Sequence, residues 1–191
     1  MTKKMIPVAA SNRHAHLTQA HIEQLFGEGY RLTYLKDIKQ PDEFVSGETI
    51  DVFGPKGGLL KVRILGPARE SSQVEMSVTN ARSIGVPPNI RLSRNLAGTA
   101  GVKLSGPCGD VYLEEGVIIP LRHIHANPEE ACQLGLSEGQ IVSIATTGIR
   151  STIFHHVVVR IDPLFSLEFH LDTDEFNAAG LQKGDIAELI L

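Results

Sequence analysis

A chain of 191 residues with 42% apolar side chains and a mean hydropathy of −0.01 can bury one core or two small ones. Its 18 Lys and Arg against 22 Asp and Glu, a net charge of −4, exclude the broad cationic surface of a general nucleic-acid binder. No apolar run approaches the ~20 residues that span a bilayer, so no membrane partner is expected and the chain reads as cytoplasmic.

The chain opens on an apolar run, "IPVAA", followed by "SNRHAHLT", in which His14 and His16 frame Ala15. Thr18 then sits where a helix N-cap belongs. The polar, turn-rich segment "KDIKQPDEFVSGE" comes next and is one candidate boundary; the region around Pro120 is the other. Short β-type runs separated by Gly and Pro follow: "ETIDVFG", "LLKVRIL", "SQVEMSV", "GVKLS" and "DVYLEEGVIIPL". Within them "FGPKGGLLKVRIL" and "LSGPCGDVYL" read as hairpins, which predicts antiparallel neighbours. A second Arg-His-x-His, "PLRHIHAN", carries His123 and His125; Asn127 aligns with Thr18 as an N-cap, and Pro128 and Glu130 are favoured first-turn residues. The runs "QIVSIAT", "STIFHHVVVRI", "SLEFHL" and "IAELIL" complete a chain that is mainly β.

One small unit recurs between the strands. "ACQLGLSEGQIVSI" and "FNAAGLQKGDIAEL" match at an offset of 45, and "NARSIGVPPNIRL" is a weaker third copy. Each reads as a short helix closed by a left-handed Gly, an aliphatic residue packing back, and a turn into a strand. With the two Arg-His-x-His copies this indicates an internal duplication into two related β-rich halves.

On a strand, residues i and i+2 share a face, so each His-x-His pair can bring two imidazoles to one metal ion. A single such pair is more often a hydrogen-bonded strand end; two in duplicated settings favour metal. Further ligands must come from Glu75 in "SQVEMSV" or from Glu168 and His170 in "SLEFHLDTDE". Three protein ligands per ion would leave one position open, as in a catalytic site. His155 and His156 are adjacent, are expected on opposite faces, and read as structural. Cys108 and Cys132 have no CxxC spacing and are expected to be free thiols. Lys56, Lys61, Arg63 and Arg69 form a local cationic cluster of the kind a small anionic ligand needs.

Taken in order, "SNRHAHLT", "GPKGGLLKVRILGPARESSQVEMSVTNA", "GPCGDVYLEEGVIIPLRHIHA" and "EFHLDTDEFNAAG" resemble the phosphate propanoyltransferase family of phosphotransacylases over nearly the whole chain. The resemblance implies two small β-barrels capped by short α-helices, with the first strand pairing into the C-terminal barrel. Residues 1–12 and 121–191 would form one barrel and 13–120 the other, with a small excursion around 27–47. It implies two zinc ions per chain, one on His14, His16 and Glu75, the other on His123, His125 and His170, thereby choosing Glu75 over Glu168; other divalent transition metals suit the same donors. It makes Arg69, six residues before Glu75, the phosphate-binding arginine, and it places Ser11, Lys36, Arg63, Leu65 and Asn177 against coenzyme A.

The implied reaction interconverts a short-chain acyl-CoA plus phosphate with an acyl phosphate plus CoA, and the implied assembly is a homo-oligomer, a dimer. Family members that enter bacterial microcompartments carry an amphipathic N-terminal extension, and only "MTKKM" precedes the first strand here. Two other readings use the same ligands: a dinuclear metal hydrolase of a thioester or phosphoester, and a non-catalytic, metal-stabilised binding module.

Overall fold

The structure, a computed structural model, describes residues 3–191. Its first half runs β1 (Met5–Ser11), β2 (His14–His16), α1 (Gln19–Phe26), β3 (Tyr34–Asp37), β4 (Phe44–Gly54), β5 (Gly57–Gly66), β6 (Gln73–Glu75) and α2 (Val78–Ile84). There follow β7 (Ile90–Arg91), β8 (Ala100–Ser105), β9 (Asp110–Pro120), β10 (His123–Ala126) and α3 (Pro128–Leu134). The chain ends with β11 (Ile141–Ala145), β12 (Ile153–Ile161), β13 (Glu168–Asp172), α4 (Thr173–Ala178) and β14 (Ile186–Ile190). No described helix is long and apolar enough to cross a membrane.

The chain divides into two compact units. One contains the N-terminal segment through Ser11, residues 39–41 and residues 121–191; the other contains residues 12–38 and 42–120. In the first, six strands close a barrel in the order β1-β13-β10-β12-β11-β14. In the second, ladder pairings close another in the order β9-β6-β2-β5-β4-β8.

The two cycles match strand for strand. β1/β13 and β10/β12 are parallel, as are β9/β6 and β2/β5, and the remaining pairs of both cycles are antiparallel. The duplication legible in the sequence is therefore a duplication of topology, with one exchange. β1 directly precedes β2 in the chain and β9 directly precedes β10, yet each of these leading strands closes the other unit's barrel. The predicted hairpins form, with Gly54 opposite Gly57 and Ser105 opposite Asp110. Antiparallel pairing does not extend to every neighbour: four barrel ladders are parallel, and each joins strands distant in sequence, where no turn dictates direction.

Each barrel has its own core. Ala15, Ile50, Val62, Ile64, Val74, Leu104 and Val117 fill one, and Ile6, Val8, Ile124, Val157, Phe169 and Leu171 fill the other. Burying a side chain of the Val, Leu or Phe class contributes about 1.5–3 kcal/mol. Helix ends follow the sequence signals. Thr18 caps α1, and Asn127 with Glu130 makes a capping box on α3 behind Pro128. Gly135 closes α3 at φ 62, a left-handed turn that glycine adopts without a steric cost.

Two local features depart from simple patterning. Between Val142 and Ile144 the β11/β12 register slips by one residue, so His155 and His156 both face outward while Phe154 and Val157 point into the core. The expected opposition of the two histidines is thus corrected: the extra residue of a bulge breaks strict alternation. Gly101 on β8 is the second. A Cβ there would lie 2.1 Å from the Leu113 carbonyl oxygen and 2.6 Å from that of Glu114. Gly101→Ala is therefore expected to lower stability by about 1–3 kcal/mol, read as a lower denaturant midpoint, because backbone rather than a movable side chain must give way. Both cysteines are free and exposed.

Candidate metal centre

The two Arg-His-x-His copies occupy equivalent ladders. β2 lies antiparallel to β6, with His14 opposite Glu75 and His16 opposite Gln73. β10 lies antiparallel to β13, with His123 opposite His170 and His125 opposite Glu168. Ala15, Val74, Ile124 and Phe169 point into the barrel cores. Strand alternation then sends all four histidines of the pairs, with Glu75 and His170, to the outer face of their sheets.

In each unit three ligand atoms converge. Those of His14, His16 and Glu75 lie within 4.8 Å of one another, and so do those of His123, His125 and His170. One ion with bonds of about 2.0–2.2 Å spans such a set after a slight closing-in. Glu168 lies with the second group, 3.2 Å from His170 Nε2 and 3.5 Å from Lys39 Nζ. Burial pushes its carboxyl up, and Lys39 opposes that.

Ring orientation is set from behind. His14 Nδ1 lies 2.7 Å from the Asn12 carbonyl oxygen, and His123 Nδ1 is equally close to that of Leu121. A ring donating from Nδ1 to a carbonyl presents its Nε2 lone pair to the other side, and His14 Nε2 stands 3.7 Å from Glu75. The rings of His14 and His16 meet edge to face at 5.0 Å; those of His123 and His170 lie parallel at 5.0 Å. Phe165 stacks on His125 at 3.8 Å, and Arg160 Nη1 donates to His125 Nε2 at 3.3 Å.

Two buried ring nitrogens, His16 Nδ1 and His125 Nδ1, have no hydrogen-bond partner among the described residues. An unmatched buried polar atom costs about 1–3 kcal/mol, and a divalent cation is a partner suited to the lone pair of His16 Nδ1; in His125 the lone pair is on Nε2, where Arg160 donates. Both rings are held neutral, the form that ligates. Burial lowers the His16 pKa far below the usual imidazole value, reinforced by His14, Arg69 and Arg94. Burial likewise lowers that of His125, with His170, His123 and Arg160 adding to it. Two separate three-ligand groups, built on neutral imidazoles and one carboxylate, fit bound metal ions.

Arg69 lies in the second unit beside this chemistry. Its guanidinium pairs with Glu43 and reaches Ser93 Oγ at 3.4 Å, while its backbone N–H donates to Leu17. Of the residues expected against coenzyme A, Lys36, Arg63 and Leu65 share one sheet. Lys36 and Leu65 both pair with Val45 of β4. Lys36 is exposed; Arg63 is partly turned inward, Nη1 donating to the carbonyls of Ser46, Gly47 and Glu48. Ser11 and Asn177 belong to the other unit, where Ser11 pairs with Asp172, the N-cap of the helix that carries Asn177. The arginines that open the two motifs differ in role: Arg13 is exposed, whereas Arg122 pairs with Glu175 at 3.2 Å.

Sequence reasoning missed the groups that hold Glu75. Gln73 is buried and donates to Glu75 Oε1 at 2.6 Å and to Ser93 Oγ at 2.7 Å. Its position two residues before Glu75 on a strand was the available signal, since the two must share a face. Gln40, whose amide approaches His170 Nε2 at 3.5 Å, lies in a turn with no comparable signature.

The profile of the phosphate propanoyltransferase family matches residues 7–182, a span that contains all six candidate ligands. The chain belongs to that family. It is 47% identical over 186 residues to a phosphate propanoyltransferase of Lachnoclostridium phytofermentans, covering 97% of this chain and 87% of the relative. Proteins of the same name from Thermotoga maritima and Rhodobacter capsulatus are 46% and 44% identical, over 97% and 93% of this chain and 89% and 83% of their own lengths.

Proposed function

We propose that this protein is a phosphate acyltransferase, interconverting a short-chain acyl-CoA plus phosphate with an acyl phosphate plus free coenzyme A. It would hold two zinc ions, one on His14, His16 and Glu75 and one on His123, His125 and His170. The observation that carries this reading is the recurrence of a three-ligand group on equivalent ladders of two barrels of matching strand order, in a chain of this family.

Bound in such groups, each with an open position, the ions supply Lewis acidity and lower the pKa of a thiol. The side chains do the rest. Neutral, buried His16 and His125 keep lone pairs available at neutral pH. The planar fork of Arg69 suits two phosphate oxygens at once. Lys36 and Arg63 offer cations to the phosphates of coenzyme A, Leu65 offers backbone, and Ser11 and Asn177 offer polar contacts. A phosphate oxygen attacks the thioester carbonyl carbon, the new C–O bond forms, the C–S bond breaks, and coenzyme A departs with the electron pair as thiolate. No acyl-enzyme is needed, and the exposed Cys108 and Cys132 have no imidazole partner among the described contacts.

Elemental analysis of purified, active protein should find about two zinc ions per chain, as two separate ligand sets predict. Thiol release from acetyl-CoA and propanoyl-CoA should then depend on added phosphate. Release that proceeds equally without phosphate would replace this reading with that of a hydrolase, and stoichiometric metal with no turnover would leave a binding module.

A further inference from the structure

The loop after β7 carries Arg94, whose backbone stands at φ 75, in the left-handed region that long L side chains rarely occupy. Gln73 holds it there. Its Oε1 accepts the Arg94 N–H at 3.0 Å, while its amide nitrogen serves Glu75 and Ser93. One buried amide thus ties together a candidate metal ligand, the serine that Arg69 reaches, and the backbone of Arg94. An L-residue in this conformation is strained where glycine would not be, and such outliers gather at functional sites.

Arg94 also lines a concavity of about 550 Å³ together with His21, Ser71 and Ser72. Ser72 directly precedes β6, so this concavity adjoins the ladder that bears Glu75. Glu70, Glu114 and Glu115 line it too, yet among the described residues none of these carboxylates forms an ion pair with Arg94. Arg69, by contrast, is engaged by Glu43, which offsets its charge. Phosphate at neutral pH carries between one and two negative charges, more than one glutamate-paired guanidinium balances.

We propose that Arg94 is a second phosphate-binding arginine, holding inorganic phosphate together with Arg69 beside His14, His16 and Glu75. The proposal rests on the phosphate acyltransferase reading, since that reaction brings phosphate to this group.

The test titrates inorganic phosphate calorimetrically into the metal-bound protein, wild type beside Arg94→Gly, Arg94→Gln and Arg94→Lys. Glycine accepts the left-handed backbone, so Arg94→Gly should keep the fold, checked by its melting temperature. Glutamine retains the strained backbone and loses only the charge. Both should weaken phosphate binding about tenfold, as expected for loss of a charge-assisted contact, and lysine should restore part of it. In turnover assays the KM for phosphate should rise while that for acyl-CoA stays within about twofold. Phosphate binding unchanged in the glycine and glutamine variants overturns the proposal and leaves the acyltransferase reading standing. Weakening in the glycine variant alone assigns the effect to the backbone and also overturns it. Wild-type protein that binds no phosphate overturns both.

Discussion

His16→Ala and His125→Ala are each expected to lower acyl-CoA turnover by at least about a hundredfold, while His155→Ala leaves it nearly unchanged. Loss of a residue that merely supports a metal ligand commonly costs 10–100-fold, and loss of the ligand itself should exceed that. The two histidines lie in different units and different three-ligand groups, so equal sensitivity at both would mean that neither ion suffices alone. His155 provides the contrast: it is exposed, and its Nδ1 lies 2.8 Å from Ser143 Oγ on the outer face of β11 and β12. Bound metal, measured on the same samples, should fall from about two ions per chain to about one in each of the first two variants. Full activity in either would remove its group from the mechanism; lost activity with both ions retained would show that the histidine acts otherwise than as a ligand.

The parts of this site legible in the sequence are those fixed by local periodicity. A two-residue repeat brings His14 to the same face as His16 and His123 to the same face as His125, whatever the strands pair with. Thr18 and Asn127, each two residues beyond a histidine pair, cap the helices that follow β2 and β10 for the same local reason. Turn chemistry announced the β4/β5 and β8/β9 hairpins for the same reason, since both partners lie within a few residues of the turn.

What could not be read is what long-range pairing decides. Glu75 and Glu168 are equally plausible carboxylates on composition and spacing. The registers set each opposite a histidine, His14 for Glu75 and His125 for Glu168, and among the described residues Glu75 is the one whose carboxylate joins a converging three-ligand group. The parallel ladders β2/β5 and β10/β12 likewise leave no local trace, because their partners are separated by whole hairpins or helices. The bulge at His155 and His156 defeated alternation by inserting one residue. Ser93 and Gln40 were invisible for a further reason: they act by hydrogen bonds to residues from other strands and loops, and such contacts carry no motif; Gln73 offered only the face it shares with Glu75.

Arg69→Lys is expected to raise the KM for phosphate about tenfold or more, with a much smaller change for acyl-CoA. Lysine preserves the charge and loses the planar pair of donors, so the loss should appear in recognition of the tetrahedral anion more than in long-range attraction. The structure sharpens the expectation. Arg69 divides its guanidinium between Glu43 and Ser93, and its backbone is pinned to Leu17, so its fork is already oriented when phosphate arrives. A flexible lysine at the same place would keep at most one of these contacts and would have to be ordered on binding. The same kinetics separate direct attack by phosphate from a covalent route. Initial-rate lines that intersect in double-reciprocal plots are expected for a ternary complex, and Cys108→Ala with Cys132→Ala should leave them in place. Parallel lines with a trapped acyl-enzyme would overturn direct attack, and a rise in KM shared equally by phosphate and acyl-CoA would remove Arg69 from the phosphate subsite.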